Sequence, residues 1–135
     1  MTDLAYTVRF AGSAEEAAAA LGPSLTRRGF GILATIRVDA VLREKIHEEI
    51  DPLLILEVCS PRHAHRALTA APDVALLLPC KIVVRRRAGA TEVALLRPEA
   101  TIGVLLDRPA LRPIAEEVEA ALSAALDEVA APSAP

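Results

Sequence analysis

Residues 56–68 read LEVCSPRHAHRAL and bring a thiol, a hydroxyl and two imidazoles into one short stretch. Cys59 and Cys80 are the only cysteines in the chain. A cysteine that ends a strand just before a helix meets unpaired N–H groups and the helix dipole, which favour the thiolate. If the strand ending at Cys59 pairs antiparallel with one starting at Cys80, the two thiols approach each other. They could then act as a redox pair, hold a soft metal ion, or simply pack as small hydrophobes. These readings stay open. His65 shares a helix face with Pro61 and Leu68 at spacings of four and three, so it can turn towards Cys59. His63 falls on another face. Cys59-x3-His63-x-His65 matches no standard zinc spacing, and a metal site on Cys59, Cys80 and His65 would need an outside ligand. Ser60 followed by Pro61 is a strong helix start, with a capping hydroxyl and a proline whose missing N–H costs nothing.

The elements that must position these groups follow from periodicity. Residues 4–10 alternate as a strand with Leu4, Tyr6, Val8 and Phe10 on one face. Ser13 and Glu16 form a capping box that opens an alanine-rich helix, which Gly22-Pro23 should interrupt, and Gly29 closes the segment. Residues 30–38 read as a second strand with Phe30, Ile32, Ala34, Ile36 and Val38 together, and Asp39 as the cap of a short helix over 40–48. Residues 53–59 form a third strand, with Leu54, Leu56 and Val58 opposed to Ile55, Glu57 and Cys59. A helix then runs from Pro61 to before Pro72. Residues 80–87 and 92–97 read as a hairpin about Gly89. Leu111, Ile114, Val118, Leu122, Leu126 and Val129 stripe a long final helix. The order predicts an α+β, β-α-β(4)-α two-layer sandwich, an antiparallel sheet with helices on one face. Thr7, Arg9, Thr35, Arg37 and Glu57 then belong to the other face, which is solvated, buried in a dimer, or a shallow ligand site.

The bulk composition narrows the function. The chain has 135 residues, enough for one domain over 1–130, with residues 131–135 as a flexible tail. Aromatics make up only 2%, so few rings are present to stack on bases. A net charge of −3 opposes general binding to nucleic acid or anionic membranes. Two cysteines are too few for a disulfide scaffold, and the N-terminus has no signal-peptide pattern. A cytoplasmic, non-membrane protein is expected. The GFG at 29–31 lacks the third glycine of a dinucleotide loop. Arg85, Arg86 and Arg87 discourage edge pairing. No nucleophile elbow, HExxH or spaced acid pair is present.

The stretches GFGILATIRVDAVLREKI (29–46), LEVCSPRHAHRAL (56–68), ALLLPCKIVV (75–84) and RPEA (97–100) together resemble the family known as domain of unknown function 302. The resemblance covers most of the chain. It implies the β-α-β(4)-α fold, similar to the TATA-binding-protein-like class, and a tendency to homodimerise. It implies no activity. Ser60 stands where asparagine is common, and either residue caps a helix.

The leading expectation is a small homodimeric binding or accessory domain, with a ligand pocket near Cys59, Cys80, Ser60 and His65. It takes a small molecule rather than nucleic acid, and no cofactor is required. The alternative is a thiol-dependent redox or metal-binding activity on Cys59, Cys80 and His65. Whether the protein is an enzyme stays open.

Overall fold

Alternation decides which side of each strand is covered. The computed structural model describes residues 4–132. Five strands, β1 (Ala5–Phe10), β2 (Gly31–Arg37), β3 (Leu53–Cys59), β4 (Cys80–Arg87) and β5 (Ala90–Leu96), form an antiparallel sheet in the order β1-β5-β4-β3-β2. Leu54, Leu56 and Val58 of β3, Ile82 and Val84 of β4, and Val93 and Leu95 of β5 all lie buried on one face. Above them pack α1 (Ala14–Thr26) and α5 (Arg112–Val129), which contribute Ala17, Leu21, Leu25, Val118, Leu122 and Leu126. The shorter helices are α2 (Val38–Ile46), α3 (Pro61–Ala70) and α4 (Pro98–Thr101). The result is the α+β two-layer arrangement that the element order predicts. Among the described residues, no helix is long and apolar enough to cross a membrane.

Local chemistry accounts for the ends of these elements. Ser13 and Glu16 make the full capping box of α1. The β4–β5 hairpin turns through Ala88 and Gly89, both at positive φ (53° and 78°). Two such residues match the twist of the flanking strands.

Four expectations need correction. Helix α1 runs straight through Gly22-Pro23. An interior proline costs about 3 kcal/mol, but the face around it is anchored: Leu21, Ser24 and Leu25 are buried. The Ser24 hydroxyl donates to the Ala125 carbonyl of α5 at 3.0 Å.

Strand β2 does not keep one phase. Ile32 lies opposite Val58, but the register shifts between Ile32 and Ala34, so Ala34 meets Glu57 and Ile36 meets Ile55. The bulge turns Ile36 to the helix-free face and moves Thr35 and Arg37 off it.

Asp39 is not a helix cap. It lies inside the first turn of α2, buried, where Oδ1 accepts from the Leu53 N–H at 3.3 Å and Oδ2 meets Arg37 at 3.1 Å. Finally, Ala131 donates its N–H to the Arg9 carbonyl at 2.7 Å, so the chain is still held there. Residues 133–135 of the expected tail lie outside the described residues.

On the helix-free face the register aligns Ile36, Ile55, Val83 and Ala94 in one apolar row, ending at Thr7. Charged pairs flank it. Lys81 meets Glu57 at 2.5 Å on one side, and Arg85 approaches Glu92 at 3.8 Å on the other.

Candidate functional site at the β3–α3 seam

The end of β3 and the first turns of α3 and α5 border a cavity of about 20 Å³. Room for about one water-sized sphere is all such a volume offers. Its wall is mainly apolar, from Phe30, Val58, Ala67, Ile114 and Val118. Cys59, Ser60, His63 and Cys80 also border it, and Leu78 and Ile102 complete it from short connecting segments.

Both cysteines are free, and both border the cavity. Cys80 pairs opposite Val58, the residue before Cys59, which brings the two thiols near enough for a charge on one to be felt at the other. The expected ionisation reverses. Burial pushes the Cys59 thiol up. Burial, reinforced by the charges of Cys59 and Glu57, pushes Cys80 up to about 11 from 9.0. Removal from water outweighs any help from the α3 N-terminus, since the charged form loses most on burial.

The imidazole at the cavity is His63, not His65. His65 is exposed, and so is Leu68, its supposed neighbour on the buried stripe. The covered side of α3 runs instead through His63, Ala64 and Ala67, and on to Ala71. These spacings of three and four were present in the sequence, but small alanines carried them, and the larger Leu68 drew attention to the wrong face. Among the described residues, no group of three or more His, Cys, Asp or Glu side chains could hold a metal ion. The set Cys59, Cys80 and His65 does not come together.

A polar relay does. The His63 ring stacks on Phe30, with centroids 5.8 Å apart and planes 15° off parallel. Its Nδ1 lies 2.8 Å from the Ser60 hydroxyl, and its Nε2 lies 3.4 Å from Oε1 of Glu117 on α5. Arg66 grips both oxygens of Glu117, at 2.9 and 3.1 Å. Arg66, with a lesser contribution from His63, holds the Glu117 carboxyl below its usual range. A carboxylate can only accept, so the neutral tautomer that engages Glu117 carries its ring proton on Nε2. Nδ1 is then left to accept from Ser60. Ser60, only 6% exposed, therefore gives its hydroxyl to His63, and no side-chain bond caps α3. Sequence reasoning missed Phe30, His63 and Glu117 as site residues. Only the Ser60–His63 spacing of three carried a signal.

The shifted thiol gives a direct expectation. At pH 8 a pKa of about 11 leaves Cys80 with roughly 100-fold less thiolate than a thiol at 9.0. Alkylation by iodoacetamide, followed by peptide mass, should show Cys80 at least that much slower in the folded chain than after denaturation. Equal rates in the two states would contradict this account of its burial.

Comparison with known proteins agrees with the fold. A crystal structure described as an uncharacterized conserved protein DUF302 from Bacillus stearothermophilus superposes with a TM-score of 0.90 at 36% identity, covering 95% of this chain and 99% of that one. No curated protein matches the chain. The family model described as domain of unknown function DUF302 matches residues 6–129, and on that span the chain belongs to the DUF302 family.

Proposed function

We propose that the chain is a binding domain for a small, mainly apolar molecule, and that it works as a homodimer. The observation that carries the binding half is the cavity at the β3–α3 seam, apolar on most sides with Ser60 and His63 on its wall. Such a wall, with a few polar groups converging on apolar surface, is what ligand sites offer. At about 20 Å³ it must widen to admit a ligand. Leu78 and Ile102 sit outside the long helices, on connecting segments, so they can yield without disturbing the sheet.

The pairing half is supported by the row Ile36, Ile55, Val83 and Ala94 on the helix-free face. Ile36 is 43% exposed and Leu33, at the bulge, 64%. Beside the row, Arg85 Nε is shut off from solvent with no hydrogen-bond acceptor. Glu92 Oε1, at 3.8 Å, is too far to accept a hydrogen bond from it, and a second copy pressed on this face would bring a closer acceptor. Two free thiols suit a reducing compartment, so the cytoplasm is the setting this reading assumes.

Light scattering at micromolar concentration should give twice the chain mass, and only monomer would remove the pairing half. NMR titration with isobutanol should give saturable shifts centred on His63 and Ala67. These should disappear in Ala67→Leu, whose larger side chain fills the cavity. No saturable shift at millimolar isobutanol would remove the binding half.

A further inference from the structure

We propose that Ser60, His63 and Glu117 form an acyl-transfer site, with Ser60 as nucleophile, His63 as its general base and Glu117 as a positioning residue. The inference rests on the cavity reading above in one respect: the cavity must admit a small acyl group. The substrate class is an ester or thioester of a short, uncharged acyl chain, matched to walls of Phe30, Val58, Ala67 and Ile114.

The geometry is that of an activated hydroxyl. A nucleophile within hydrogen-bond reach of a base, which is itself oriented by a third group, marks the arrangement on any fold. The Ser60–His63 contact of 2.8 Å meets that reach, and the 3.4 Å to Glu117 has the looseness common before substrate binds. The two ring nitrogens exchange their familiar roles, which changes no step, because either can take the proton while the other is held.

A purely structural Ser60 would cap α3 by accepting from an N–H of its first turn. It does not, because the hydroxyl turns to His63. The N–H groups of Arg62 and His63 consequently stay free of intrahelical partners, next to the nucleophile, where a developing oxyanion can use them.

The steps balance. Ser60 Oγ bonds to the acyl carbon while its proton passes to His63 Nδ1, and the carbonyl electron pair moves to oxygen. Collapse of that intermediate breaks the bond to the alcohol or thiol, which leaves with the proton from Nδ1. Water, deprotonated by the same nitrogen, then attacks the acyl-serine. The carboxylic acid departs and the hydroxyl is restored.

Treatment of the whole chain with diisopropyl fluorophosphate and with p-nitrophenyl acetate, read by intact mass and peptide mapping, tests the proposal. One adduct on Ser60 is expected. His63→Gln should slow its formation by about 100-fold. Glu117→Gln should slow it less, and Glu117→Asp should recover part of the rate. No adduct on Ser60 in the folded unaltered chain, or a rate indifferent to His63→Gln, overturns it. Mapping the unaltered chain keeps the test decisive even where a variant folds poorly. Saturable isobutanol binding without any adduct defeats the acyl-transfer site and leaves the binding reading standing. An adduct without isobutanol binding does the reverse.

Discussion

Replacing Ile55 by glutamate should turn a two-chain particle into single chains at micromolar concentration, with little change in the fold of each. Ile55 sits mid-row on the helix-free face, between Ile36 on β2 and Val83 on β4. It takes no part in the core, which is built from the opposite phase of β3. A glutamate there meets water in the monomer, and Glu57 already occupies the same phase two residues away. In a face-to-face pair it would be pressed against apolar side chains, while the neighbouring cations Lys81 and Arg85 already face Glu57 and Glu92.

Truncating a hot-spot residue at the centre of an interface costs about 2 kcal/mol or more. An isologous contact counts the change once per copy. About 4 kcal/mol in total corresponds to roughly 10³-fold weaker pairing. Sedimentation equilibrium of the wild type and of Ile55→Glu, with circular dichroism as the folding control, measures it. A variant that stays dimeric places the contact elsewhere, at an edge strand.

Different amounts of fold and site were legible in the sequence, for physical reasons that particular residues make clear. Strand β3 was readable because Glu57 marks one phase and Leu54, Leu56 and Val58 make the other wholly aliphatic, and period two has one structural meaning. Strand β2 was not, because GILATIR is apolar at nearly every position and nothing in it marks the extra residue at Leu33. The wrong phase for Ile36 then hid the apolar row and made the helix-free face look more polar than it is.

The site shows the same limit. Cys59, Ser60 and Cys80 were correctly placed at the seam, because strand ends and helix starts leave local marks. Burial, which sets their ionisation, depends on what lies above the sheet. Glu117 comes from a helix more than fifty residues further along, and no spacing within LEVCSPRHAHRAL points to it. Asp39 lies between these cases: its place near a helix start was legible, its partner Leu53 was not.

That partner makes Asp39→Ala the substitution with the largest expected loss of stability among polar residues here. The carboxylate is 3% exposed and binds β3 to the end of β2, accepting from the Leu53 N–H and meeting Arg37 and Arg43. Removing one member of a buried charged contact costs about 3–5 kcal/mol. The arginines are half-exposed and recover water, which brings the expectation to about 2–3 kcal/mol. Asp39→Asn keeps an acceptor for Leu53 but loses the charge, and should cost about half as much.

Acid adds an independent arm. Burial alone would raise the Asp39 carboxyl, but the Leu53 N–H and the Arg37 guanidinium outweigh it and hold the group below its usual 3.8. A folded-state value below the unfolded one gives stability that is present above the unfolded value and is lost as pH falls through the folded one. Urea unfolding followed from pH 6 down to pH 2 should therefore destabilise the wild type more steeply than Asp39→Asn, with the curves converging at the acid end. Parallel curves would mean that the carboxylate is no better stabilised in the folded chain than in water, and that the tie between β2 and β3 lies in packing alone.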